Sequence, residues 1–252
     1  MTASLKTSAN RKPSASWPLP EGEEKRSFIQ RLFTSIAPRY DWFNRLASLG
    51  LDQAWRRAAV SRGGIGPGQR VLDVCAGTGD LSILCAARQR QSGAVIGIDM
   101  NGAMLRRAHL KQDAQRLAIR WVQGDAESLP FPDSRFDCVI IGFSTRNLTD
   151  LNTGLREMFR VLRPGGRLVI LETGYPKHPA LRRAYQIFLF TAARTIGFAL
   201  TGRTWPFTYL ARSVRGFLTP AQMVERLQSF QTQVEYVPLS YGLASLFLAT
   251  KS

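Results

Sequence analysis

Residues 70–80 read Arg70-Val71-Leu72-Asp73-Val74-Cys75-Ala76-Gly77-Thr78-Gly79-Asp80. A short apolar run, Arg70–Cys75, has the length and β-branched content of a buried strand. It runs into Gly77-Thr78-Gly79, where the glycines let the backbone turn tightly and approach a ligand closely. The helical pattern of 81–90 follows at once. Strand, glycine turn and helix in that order open a nucleotide-binding unit when an acidic residue ends the next strand. The next apolar run, Ala94–Asp99, does end in one, twenty positions after Gly79.

The rhythm continues outward from this unit. Ile119–Gln123, Asp137–Gly142 and Arg167–Glu172 read as further strands, and Gly102–Gln115 and Leu151–Leu162 as helices. Alternation at this spacing requires crossover connections, hence a parallel sheet with helices on both faces. Two last β runs, Gln233–Pro238 and Ala244–Ala249, follow a helix at Pro220–Ser229 and are close enough to pair antiparallel. Upstream, Phe28, Ile29, Leu32, Phe33 and Ile36 repeat at helical spacing until Pro38, and a second helix is expected from about Asp41 to Arg62. The fold class is therefore α/β and Rossmann-like, one domain over residues 21–252, with N-terminal helices at 21–66. The segment Tyr175–Leu218 interrupts the alternation after the fifth strand and is expected to form a lid. Residues 1–20 are rich in Ser, Pro and base, and read as a disordered tail.

The dinucleotide fingerprint wants a third glycine where Ser82 stands, and no Gly-Lys-Ser/Thr is present to hold a triphosphate. A pyrophosphate ligand is disfavoured. S-adenosylmethionine needs only the turn, the ribose-binding acid and an adenine pocket. Asp99 is the ribose candidate, and Asp125-Ala126, just after the third strand, is placed to meet the adenine. The plainer alternative for Asp125 is a turn residue or a helix cap.

The 252 residues carry a net charge of +16, and only six of the 34 basic residues are lysines. Such a surplus implies an anionic partner, either nucleic acid or a membrane surface. Cys75, Cys85 and Cys138 form no Cys-x-x-Cys pair and neither His109 nor His178 has a neighbour at ligand spacing, so no disulfide framework and no metal is expected. No uncharged apolar run spans a bilayer; the nearest, Ala184–Leu200, carries Arg194 near its middle.

The set VLDVCAGTGDLS, GDAESLPFPDSRFDCV, FSTRNLTD and LREMFRVLRPGGRLVILE resembles the class I S-adenosylmethionine-dependent methyltransferases. More narrowly, Tyr40-Asp41, Asn44, Ser48, Gly50, Trp55-Arg56, Arg146-Asn147, and Tyr209-Leu210 with Ser213 resemble the ubiquinone/menaquinone biosynthesis C-methyltransferases. The resemblance spans about Phe28 to Phe230. It implies a seven-stranded, mostly parallel sheet and S-adenosyl-L-methionine as cofactor. It implies cofactor contacts at Thr78, Asp99, Asp125 and Ala126, with Asp73, Gly77, Gly79 and Met100 around them. A fourth-strand contact, usually serine in the family, falls on Gly142.

It also implies C-methylation of a polyprenylated hydroquinone, foremost demethylmenaquinol to menaquinol. Arg146 is the candidate to stabilise the phenolate, Asn147 to hold the second ring oxygen, and Tyr40 and Asp41 to cover the ring or relay the proton. Glu172 and His178 stand further back. Each has a plainer alternative: ion pairing or capping for Arg146 and Asn147, core packing for Tyr40, a helix cap for Asp41, pairing with an arginine for Glu172, and a loop position for His178. A tailed substrate gives the basic segment 175–218 a purpose. Leu181, Tyr185, Phe188, Leu189 and Ala192 lie at helical spacing among arginines, as a surface binding an anionic leaflet would. The expected location is cytoplasmic, at the inner face of the membrane, and a homodimer is compatible with the reading. The rivals are a methyltransferase of another small aromatic or lipid metabolite and a nucleic-acid methyltransferase. The latter lacks its Asn/Asp-Pro-Pro-Tyr/Phe motif here, so no nucleic-acid partner is expected.

Overall fold

The computed structural model describes residues 19–89, 92–174 and 176–252, without the side chain of residue 114. All but the last two residues of the expected tail lie outside these.

Three helices come first: α1 (Gly22–Ile36), α2 (Tyr40–Ala47) and α3 (Leu51–Arg62). The single helix expected from Asp41 to Arg62 is thus two. Gly50 breaks it with a left-handed φ of 79°, a conformation that glycine adopts without penalty. Ser48 Oγ accepts from the Asp52 N–H at 3.1 Å and restarts the helix.

The alternating core follows: β1 (Arg70–Val74), α4 (Asp80–Gln89), β2 (Ala94–Asp99), α5 (Gly102–Gln115), β3 (Ile119–Gln123), β4 (Phe136–Gly142), α6 (Leu151–Val161) and β5 (Leu162–Thr173). β5 begins five residues earlier than the pattern predicts, directly after α6. Its Pro164-Gly165-Gly166 stretch carries no apolar signal, and the pairing with β4 shifts register there. The expected lid is three helices, α7 (Pro179–Phe190), α8 (Ala192–Thr201) and α9 (Trp205–Arg215). Then α10 (Pro220–Gln228), capped by a Thr219/Gln222 box, leads to β6 (Thr232–Leu239) and β7 (Ala244–Lys251).

The sheet order is β3-β2-β1-β4-β5-β7-β6. β1 to β5 are parallel, and β7 lies antiparallel between β5 and β6. The strand order reverses between β1 and β4, and a crevice outside the carboxyl ends of those strands is where such sheets bind ligands. Two-residue periodicity sorts the core. Leu72, Val74, Val139, Ile141 and Ile170 face one layer with α6 and α10. Val71, Cys138, Ile140, Val169 and Leu171 face the other, with α3 and α4.

A third core stands above the carboxyl edge. Phe28, Ile29, Leu32, Ile36 and Phe43 from α1 and α2 pack on Leu189, Ala193, Phe207 and Tyr209 from the lid. The Phe43 and Phe207 rings lie 4.4 Å apart, centroid to centroid, and Phe28 and Tyr209 5.1 Å. N-terminal helices and lid therefore form one roof over the crevice.

Candidate active site

Beneath that roof lies a cavity of about 890 Å³ at the ends of β1, β2 and β4. Cys75, after β1, and Phe143, after β4, are non-glycine residues with left-handed φ of 55° and 57°. Such conformations are costly and cluster where a chain must aim side chains at a site. Gly77 and Thr78 line the cavity, with Asp99, Met100, Asp125, Ala126 and Gly142 around it. Asp99 closes the glycine turn: Oδ2 accepts from the Gly77 N–H at 2.8 Å and Oδ1 from the Asn101 N–H at 2.7 Å. Each oxygen keeps a lone pair for a ligand hydroxyl. Burial pushes this carboxyl above its ordinary pKa, while those two backbone donors pull it back.

Asp73 and Gly79, both expected at the cofactor, lie outside the lining. Asp73 sits under the turn, where Oδ2 accepts from the Ser82 N–H at 2.9 Å and Oγ at 2.6 Å. Its other oxygen has no partner among the described residues, and burial lifts its pKa to about 7 despite the two bonds from Ser82. The serine in the third-glycine position is thus what Asp73 holds. Gly79 has φ 83°, and a Cβ there would stand 2.6 Å from Trp121. Its requirement is backbone conformation and packing on β3. At Gly142 a Cβ would meet Leu81 Cδ1 at 2.5 Å, and Ser144, two residues on, brings a hydroxyl to the lining instead.

Polar ties fasten the roof to the rim. Arg26 of α1 pairs with Asp125 at 2.7 Å. Asn101 caps α5 and donates through Nδ2 to Gln30 O and Thr34 Oγ1 of α1 at 2.9 and 2.8 Å. Asp41 of α2 accepts from Thr78 Oγ1 at 2.5 Å and pairs with Lys111 at 3.2 Å, and Lys111 also pairs with Asp80. Asp41 does not line either large cavity; it latches α2 to the glycine turn.

The donor set fits the adenosyl cofactor. Asp80, Asp99, Asp125 and Glu127 line the cavity against two arginines, Arg26 and Arg56. A lining richer in acid than base, inside a chain of charge +16, suits a ligand bearing ammonium and sulfonium charges rather than phosphate.

A second cavity, of about 930 Å³, adjoins the first. Its walls are mainly apolar and aromatic: Leu32, Ile36, Phe43, Trp55, Phe143, Tyr185, Phe188, Phe207 and Tyr209 among them. Phe33, Tyr40, Arg56 and Asn147 line both cavities and so form the wall between them. Asn147 Oδ1 accepts from Tyr209 O–H at 3.2 Å, while its Nδ2 is buried without a partner among the described residues. Burial holds the Tyr40 phenol above its ordinary pKa, although Arg56 opposes this. Burial likewise pushes Tyr209 up to about 12.

Arg146 lines the aromatic cavity alone. Its Nη1 pairs with Glu172 and donates to Phe143 O at 2.8 Å. Glu172, at the end of β5, also accepts from Thr145 Oγ1 and the Thr173 N–H, each at 2.7 Å. Glu172 thus pairs with an arginine. His178 precedes α7 at its N-cap position and lines neither cavity. Arg56 was visible in the sequence only as part of a family signature, and no local pattern places it in the wall. Tyr185, Phe188 and Leu189, expected to face a membrane, turn inward and line the aromatic cavity. Among the described residues of the lid, the exposed large apolar side chains are Ile187, Phe190 and Phe198.

Comparison with known proteins agrees with this geometry. Residues 21–251 match the ubiE/COQ5 methyltransferase family. A protein of Deinococcus radiodurans named demethylmenaquinone methyltransferase is 38% identical, over 93% of this chain and 97% of its own. The ubiquinone/menaquinone biosynthesis C-methyltransferase of Hahella chejuensis is 39% identical, over 91% of this chain and 93% of its own. Among solved structures, a SAM-dependent methyltransferase from Aquifex aeolicus shares the fold with a TM-score of 0.62 at 17% identity, covering 84% of this chain and 98% of its own. The chain belongs to the ubiE/COQ5 methyltransferase family.

Proposed function

We propose that the protein methylates a ring carbon of a polyprenylated hydroquinone with S-adenosylmethionine as donor, converting demethylmenaquinol to menaquinol. One observation carries this: an acid-lined cavity and an aromatic cavity share a wall that presents the Asn147 Nδ2, a donor without a partner among the described residues. The names of the relatives, demethylmenaquinone methyltransferase and ubiquinone/menaquinone biosynthesis C-methyltransferase, point the same way. S-adenosylmethionine, when bound, supplies an electrophilic methyl group on sulfur. Gly77, Thr78 and Asp99 would hold its adenosyl part, with Asp125 and Ala126 at the adenine.

The chain's own residues prepare the acceptor. A phenol ordinarily ionises near 10, and its oxyanion delocalises charge onto the ortho carbon. That carbon would take the methyl group the donor supplies, the bonding electron pair staying with sulfur. The same carbon would then give its proton to solvent, the ring regaining aromaticity and its oxygen taking a proton back. Asn147 Nδ2 donates to a ring oxygen, and Tyr40, kept protonated, donates from the same wall. Arg146, bound to Glu172 and Phe143 O, fixes the turn that presents Asn147. The roof aligns the ring, which converts an encounter into an oriented reaction. Asn147→Ala should raise the acceptor KM about tenfold, the scale of one lost hydrogen bond in a buried site. Cofactor affinity, measured by calorimetry, should stay within about twofold. An unchanged KM would remove Asn147 from the acceptor site.

The isoprenoid tail brings the enzyme to the membrane surface. No helix among the described residues is long and apolar enough to cross a bilayer. Trp42 on α2 and Leu49 after it are 63% and 87% exposed, α2 packs against α8, and α8 against α7. Exposed Arg39, Arg45, Arg183 and Arg194 belong to the same region. Apolar side chains among arginines suit an anionic leaflet. Vesicles containing anionic lipid should therefore float the protein, and high salt should release it. The Trp42→Ser/Leu49→Ser variant should bind at least about tenfold more weakly. Equal binding by both proteins would contradict this face. Sedimentation without lipid tells whether a second copy of the chain covers it instead.

A further inference from the structure

Of the four residues common to both cavities, Arg56 is the cation. Its side chain is only 7% exposed, and its Nε is shielded from solvent without a hydrogen-bond partner among the described residues. Asp52 and Asp80 stand 3.7 and 3.5 Å from that nitrogen. Both are engaged elsewhere: Asp52 accepts from Ser48 Oγ at 3.0 Å and Gln53 Nε2 at 2.9 Å, and Asp80 pairs with Lys111. The guanidinium carbon lies 5.2 Å from the centre of the Phe143 ring. Ion pairs with these two carboxylates and packing on Phe143 hold this group, with no hydrogen bond among the described residues. Trp55, its neighbour on α3, donates to Ser240 Oγ at 2.8 Å and anchors that helix to the β6–β7 connection.

A guanidinium is a rigid fork of five donors, and burying its N–H groups unpaired is costly. Such a donor at a cavity wall is kept where a ligand supplies the acceptor. Arg146 also has an Nε without a partner among the described residues, but its Nη1 pairs with Glu172 and donates to Phe143 O, and it lines the aromatic cavity and not the cofactor cavity. We propose that Arg56 binds the acceptor's ring oxygen as that oxygen ionises, and holds the phenolate at the wall facing the methyl donor. The ring hydroxyl releases its proton to solvent, and no further reactant is required. Tyr40, a phenol in the same wall, is already pulled toward ionisation by Arg56, and burial keeps it protonated as a donor to the same oxyanion.

This rests on the aromatic cavity being the acceptor site. The test needs no cofactor and no turnover. A cyano-substituted naphthol, whose phenolate absorbs at longer wavelength than the phenol, is titrated in the presence of saturating protein. Bound to the unaltered protein it should ionise at least about one pH unit below its value in water, a tenfold larger ionisation constant. Bound to Arg56→Gln it should lose that shift, and Arg56→Lys should restore part of it. In turnover, Arg56→Gln should lose about 100-fold in kcat, as when one oxyanion donor is removed. The alkaline rise of its pH profile should move upward by a similar amount, which a merely structural defect would not do. Equal ionisation in Arg56→Gln and the unaltered protein would overturn the assignment. So would a bound naphthol that ionises no more readily than in water, a result that requires no variant to fold. If the naphthol does not bind the unaltered protein at all, the acceptor reading of the cavity fails, and the role of Arg56 with it.

Discussion

Replacing Glu172 with alanine is expected to cost about 3–5 kcal/mol of folding stability, the range for breaking a buried ion pair by removing one partner. Its side chain is 2% exposed and that of Arg146 is 8% exposed. The loss strands a guanidinium in an apolar setting. It also removes the acceptor used by Thr145 Oγ1 and the Thr173 N–H. Both donors lose a bond to a charged group, which contributes about 1.5–3 kcal/mol each, and the unpaired guanidinium adds its desolvation. Adding Arg146→Met to the alanine variant should return the part owed to the stranded charge, since no charge is then left unpaired. Urea unfolding with an unchanged slope measures both variants. A cost below about 1 kcal/mol for Glu172→Ala would mean that water reaches Arg146 and that the pair does not brace the Asn147 turn.

The sheet was legible because its signals are local. Val71, Leu72 and Val74, then the glycines, then Asp99, each declare strand, turn or strand end through their own chemistry, and the structure keeps them in those roles. What failed was decided by tertiary contact. Nothing in the run from Asp41 to Arg62 distinguishes Gly50 as a helix breaker from a tolerated helical glycine until α2 must pack on α8 and α3 on α4. The start of β5 was missed because Pro164-Gly165-Gly166 pairs through a register shift that no periodicity encodes.

The lid shows the limit most clearly. The spacing of Tyr185, Phe188 and Leu189 correctly marks an apolar helix face, but periodicity cannot say what that face meets. It meets the roof core and the aromatic cavity. The same holds for the site. Asp41 looked like a catalytic acid or a cap and is tied to Thr78 and Lys111. Arg56 lay inside a quoted signature without a role, because its place in the wall depends on α3, β1 and β4 converging. Polar residues on separate elements reveal their partners only when the chain is folded.

Activation of the ring carbon requires an acceptor ring that carries an ionisable hydroxyl. Purified protein is given S-adenosylmethionine labelled in its methyl group, together with demethylmenaquinone in either the reduced or the oxidised state, and label is followed into the lipid. Transfer to a ring carbon from the reduced form, with at least about 100-fold less from the oxidised form, is the predicted result, because the quinone has no hydroxyl whose loss of a proton would activate the carbon. Equal labelling of both forms, or label appearing on oxygen, would contradict it.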